Sequence, residues 1–126
     1  MRQSVGFVMN AKEAVAAYQF SERSKSELIA ASQILATLYD YKGEQRIAAK
    51  RVTTNFLELF RSNLMLGFNT TKDRNFQQAA DRVSEAISRL ESDEFAEATQ
   101  KLGDAVSLAT TPAQEAWAFL SEHGFL

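Results

Sequence analysis

Apolar side chains recur along this chain every three or four residues, the period of an α-helix with one buried face. The first run is Val8, Ala11, Val15 and Tyr18, with Asn10 or Ser4 placed to cap it. After the polar stretch 21–26 the apolar phase resumes one residue out of register, at Leu28, Ala31, Leu35 and Leu38. That slip predicts a break near Ser24, with Ser24 as the cap and Glu27 completing a capping box. A single long helix from about residue 4 to residue 41 is the alternative, because nothing in the polar stretch forbids helix. Lys42-Gly43 then offers a cationic last turn and a glycine able to take left-handed dihedrals.

A further helix is expected over 44–66, ending at Gly67. In its first half Ile47, Val52 and Phe56 mark an inner face and Arg46, Lys50 and Arg51 an outer one. In its second half Phe56, Leu57, Leu59, Phe60, Leu64, Met65 and Leu66 cover nearly the whole circumference. A single buried stripe cannot account for them, so the stretch belongs at the centre of a bundle or at a subunit interface.

Residues 69–73 read as the longest loop, with Asp73 or Thr71 capping the next helix. There Phe76, Ala79/Ala80, Val83, Ala86/Ile87 and Leu90 form a clean stripe, and a following helix carries Phe95, Ala98, Leu102, Ala105/Val106 and Ala109 on its inner face. In Thr111-Pro112-Ala113-Gln114, Thr111 caps, Pro112 takes the first helical position and Gln114 closes the box, which starts a last helix. That helix turns Ala116, Trp117 and Leu120 inward and stops at His123-Gly124, leaving Phe125 and Leu126 as an apolar tail. The expected fold is all-α: one domain over residues 1–126, an antiparallel bundle of five or six amphipathic helices.

From Phe95 to Ala98 to Ala105, with Leu102 between, an aromatic, two alanines and a large inner residue fall at the spacing of the second helix of a tetratricopeptide repeat. Residues 76–120 thus resemble one tetratricopeptide-like helical hairpin, and Ala86 fits that family's small-residue slot in the first helix. The chain departs from the pattern at Arg82, Glu85 and Arg89, which stand where Trp, Leu and Tyr are expected, and Pro112 comes two residues late. No second copy appears at a 34-residue offset.

Composition narrows the chemistry. The 45% of hydrophobic residues in a chain of 126 suffices for a packed core, and the absence of cysteine excludes disulfides, thiolate metal sites and cysteine nucleophiles. Charge is uneven, with net values of 0 over residues 1–41, +4 over 42–74 and −6 over 75–126. No run approaches the ~18 apolar residues of a membrane span, and no secretory h-region forms near Met1, so the expected compartment is the cytoplasm.

The lone His123 sits beside a helix end, not mid-helix on a solvated face as a phosphotransfer histidine would, and one histidine cannot furnish a pair of Glu-x-x-His metal motifs. Asp93, Glu94 and Glu97 complement a helix start and are not followed by a loop of alternating oxygen ligands. No catalytic, cofactor or metal site is therefore expected. The expected function is a non-enzymatic helical interaction module, an adaptor, chaperone or assembly component. It would bind a protein partner or itself as a homo-oligomer through Phe56, Leu57, Phe60, Leu64, Phe125 and Leu126. The alternative is a nucleic-acid binder using Lys42, Arg46, Lys50 and Arg51, ranked second because the neighbouring aromatics are better spent in a core.

Overall fold

The computed structural model describes residues 9–125. Asn10 opens the first helix, α1 (Ala11–Ala36), through a reciprocal capping box: its side chain accepts from the Glu13 amide at 2.8 Å, and the Glu13 carboxylate accepts from the Asn10 amide at 2.9 Å. The other proposed cap, Ser4, and the apolar position Val8 lie outside the described residues.

The expected break at Ser24 is absent. The buried line of α1 is Ala14, Ala17, Ser21, Ser24, Leu28, Ala31 and Leu35, an unbroken heptad spacing. The large apolar residues suggested a different phase, but Val15 is exposed and the inner face is carried by alanine and serine. Of the two readings the continuous helix is the one formed, and it ends in a 3-10 turn, Thr37–Asp40.

Helix α2 (Gly43–Thr71) also runs past its expected end. Gly43 does take a positive φ of 58°, but it opens α2 rather than closing the preceding helix. Gly67 is no stop signal. It is buried inside α2, where an added Cβ would stand 3.3 Å from Cδ1 of Phe20 and 3.4 Å from the Phe76 ring. Lys72 and Asp73 alone join α2 to α3 (Arg74–Glu91), Lys72 in the left-handed region and Asp73 capping the Asn75 amide at 2.9 Å. The long loop expected at 69–73 is mostly helix.

The α3 stripe is as expected, with Phe76, Ala79, Ala80, Val83, Ala86 and Leu90 buried. Its C-terminus closes in a Schellman motif: the Glu94 amide donates to the Arg89 carbonyl and the Asp93 amide to that of Leu90, with Asp93 at φ 60°.

Helix α4 (Phe95–Glu122) passes through Pro112 without ending. Thr111 therefore caps nothing, and the five or six expected helices reduce to four α-helices among the described residues. The tetratricopeptide pattern wants a new helix after the proline, and none begins there. A second Schellman motif, with Gly124 at φ 77°, ends α4 where His123-Gly124 predicted.

Each helix packs along the next in sequence, and α4 closes the ring against α1; across the diagonals the helices meet through long side chains, Phe20 of α1 with Phe76 of α3 and Arg46 of α2 with Phe95 of α4. With such short connections this is an up-down-up-down bundle. The α1–α4 seam is the most extensive and the α1–α2 seam the least. One large core fills the ring, and a second cluster of Met9, Ala14, Ala17, Ala116 and Leu120 lies at one end, built from the start of α1 and the end of α4 with Met9, two residues ahead of α1.

Candidate protein-interaction face

The heptad phase of α2 decides which of its side chains reach solvent. Thr53, Leu57, Phe60, Leu64, Gly67 and Thr71 form its inner line. The buried hydroxyls of Thr53 and Thr71 are satisfied on their own helix, donating to the carbonyls of Ala49 at 2.8 Å and Gly67 at 2.7 Å. With those positions inward, Ile47, Val52 and Phe56 must point out, and they are 69%, 52% and 41% exposed. The three residues expected inward are thus outward, while of those expected outward Arg51 is exposed and Arg46 and Lys50 are partly buried.

The expected interface set is divided by this phase. Leu57, Phe60 and Leu64 belong to the intramolecular core and offer no free surface. Phe56 is exposed on the outer face of α2; Phe125 is exposed at the far end of α4; Leu126 lies outside the described residues. Three residues missing from the set join Phe56 on the outside: Val52, Leu59 at 54% exposure and Leu66 at 51%.

Val52, Phe56, Leu59, Asn63 and Leu66 follow one another at spacings of four, three, four and three, a second heptad line on the solvent side of α2. The positions flanking it on the side away from the core are Ala48, Asn55, Ser62 and Asn69. Neither line carries a charge between residues 45 and 70, although Asp, Glu, Lys and Arg make up 24% of the chain. Asn63 donates to the Glu27 carboxylate of α1 at 3.1 and 3.3 Å, and the Phe56 ring leans on that of Phe60 with centres 6.0 Å apart.

At the N-terminal end of this stripe the thin α1–α2 seam opens into a groove of about 420 Å³. Ile34, Thr37 and Tyr41 form one wall, and Gln45, Ala48, Ala49, Val52 and Thr53 of α2 form the other. The groove exists because Ala48 and Ala49 are short where Leu or Phe would fill it. No ionisable group other than the Tyr41 phenol lines it.

The basic residues do not gather on one face. The Arg46 guanidinium lies 5.2 Å from the centre of the Phe95 ring, which also meets Tyr39 edge-on at 5.3 Å. Lys50 reaches Asp93 at 2.7 Å and the Glu91 carbonyl at 3.2 Å, tying α2 to the α3–α4 turn. Lys42 and Arg51 are exposed.

Elsewhere the chemistry is sparse. His123 donates from Nδ1 to the Phe119 carbonyl at 2.8 Å and stacks on the Phe119 ring with centres 4.1 Å apart. Trp117, expected inward, is 53% exposed and leans on Tyr18. Among the described residues no group of three His, Asp or Glu side chains could hold a metal ion, and no helix is long and apolar enough to cross a membrane. At Glu85, Lys101 at 3.3 Å lowers the carboxyl pKa, desolvation opposes this, and Arg82 at 3.1 Å reinforces it.

Comparisons with protein-family models, with curated proteins and with solved structures found no match.

Proposed function

We propose that this chain is a non-enzymatic protein-interaction module that associates with itself through the outer face of α2 and serves as an assembly component or adaptor. One observation carries the reading: Val52, Phe56, Leu59 and Leu66 stand about half exposed in a stripe without charge. Scattered apolar residues on a surface need no explanation, but four of them aligned along one helix with charge kept away form a contiguous patch, which marks a contact site.

The magnitudes agree with a reversible association. Covering these four side chains on two copies removes on the order of 600 Å² of apolar surface, about 15 kcal/mol gross at ~25 cal/mol per Å². Association itself costs on the order of 4–15 kcal/mol, so the balance is a weak to moderate complex. Nucleic-acid binding is the weaker reading, because Arg46 and Lys50 are already engaged by Phe95 and Asp93.

Sedimentation velocity across the micromolar range tests the proposal. A dimer whose population grows with concentration is expected. A strict monomer that also fails to bind a hydrophobic dye would rule it out.

A further inference from the structure

Resting on that reading, we infer that the occupant of the α2 face is a second copy of the chain docked antiparallel, with Leu66 of each copy seated in the α1–α2 groove of the other. Three features of α2 support this arrangement over a parallel one. First, the stripe is self-complementary in size only when reversed. About a twofold axis level with the peptide between Leu57 and Glu58, Phe56 faces Leu59 of the second copy, Val52 faces Asn63, and Ala49 faces Leu66. A parallel pair would instead set Ala49 against Ala49, leaving a gap, and Phe56 against Phe56, crowding the same seam.

Second, the groove and the knob are at opposite ends. Leu66 is half exposed near the C-terminal end of the stripe, and the groove floored by Ala48 and Ala49 lies near its N-terminal end. Reversal brings them together twice in one dimer. Third, the flank carries groups that can pair without charge: Asn55 and Ser62 of opposite copies come side by side, where amide and hydroxyl hydrogen-bond. Because the face is uncharged, bringing it against itself incurs no like-charge repulsion.

The size suffices. Residues 45–70 span roughly 38 Å of helix at ~1.5 Å per residue. A contact of that length buries roughly 600 Å² per copy, at the lower edge of stable protein interfaces.

The chain has no cysteine, so one introduced thiol reports one position. Ala49→Cys and Leu66→Cys chains, one carrying a size tag, are mixed, allowed to exchange and treated with a short bismaleimide. Cross-linking in the mixture and in neither variant alone is expected, since the two Ala49 positions of an antiparallel pair are roughly 25 Å apart along the helix. Ala49→Cys cross-linking to itself, or no cross-link in a mixture that sediments as a dimer, would overturn the antiparallel docking while leaving self-association intact. Monomeric sedimentation of the untreated native chain would overturn both. Leu66→Ala, which keeps the fold, should weaken the dimer on the order of tenfold.

Discussion

The hydroxyl of Ser21 stands between the carbonyl of Ala109 and the amide of Ala113, donating to the first and accepting from the second at 3.2 Å. Those two groups are the pair that a regular α4 would bond to each other. Pro112 lies between them, and a proline ring inside a helix clashes with the carbonyl four residues back and pushes the turn open. Ser21, buried on α1, fills the opening with one donor and one acceptor. The proline that looked like the start of a helix is thus held within one by a side chain 92 positions from the amide it serves.

Ser21→Ala should therefore lower stability by about 1–3 kcal/mol, the cost of stranding buried polar groups. Pro112→Ala lets α4 close its own bond, so the double variant should lose less than the sum of the two single changes. A double-mutant cycle by thermal or urea unfolding measures the coupling, expected at about 1 kcal/mol or more.

At Gly67 two effects oppose each other. Alanine improves helix propensity by about 1 kcal/mol, and its Cβ presses on Phe20, which is only partly buried and can yield. Gly67→Ala should fall within about 1 kcal/mol of wild type. Gly67→Val adds two methyls beside the fully buried Phe76 and should cost about 2 kcal/mol or more in the same unfolding assay.

Asp93 occupies the left-handed position that closes α3. Its ion pair with Lys50 is more than half exposed on the Asp93 side and contributes little. Asp93→Gly and Asp93→Ala both remove the pair, but only alanine keeps a Cβ at a φ of 60°. The glycine variant should be the more stable of the two by about 1 kcal/mol, read from their unfolding midpoints.

Glu85 makes a pH prediction. Lys101, then Arg82, hold its carboxyl below the ordinary 4.5 in the folded chain. A depressed carboxylate contributes stability that is present above its unfolded value and disappears as pH falls through the folded one. Glu85→Gln should flatten the stability profile on the acid side of pH 4.5 and lower the level above it without changing the slope there.

The legible parts of the fold are those in which large apolar residues mark the inner face. In α3 and the first half of α4, Phe76, Val83, Leu90, Phe95 and Leu102 set the phase unambiguously, and Gly124 fixed the end. In α1 the inner face is Ala14, Ala17, Ser21 and Ser24, small residues that let α4 approach closely and carry almost no hydrophobic signal. In α2 the difficulty is reversed. Leu57, Phe60 and Leu64 face in while Val52, Phe56, Leu59 and Leu66 face out, so two apolar phases compete, and the polar Thr53 together with Gly67 completes the inner one. The excess of apolar residues over 56–66 was visible from spacing alone; which of them are free to meet a partner depends on the ring of four helices.

Two leucines on opposite sides of α2 test the central claim most directly. Leu57 is fully buried and Leu59 is 54% exposed, two residues apart. Sedimentation and circular dichroism of Leu57→Asp and Leu59→Asp should show an unfolded chain for the first and a folded, helical monomer for the second, against a dimeric wild type. A Leu59→Asp chain that still sediments as the wild type does would contradict the account.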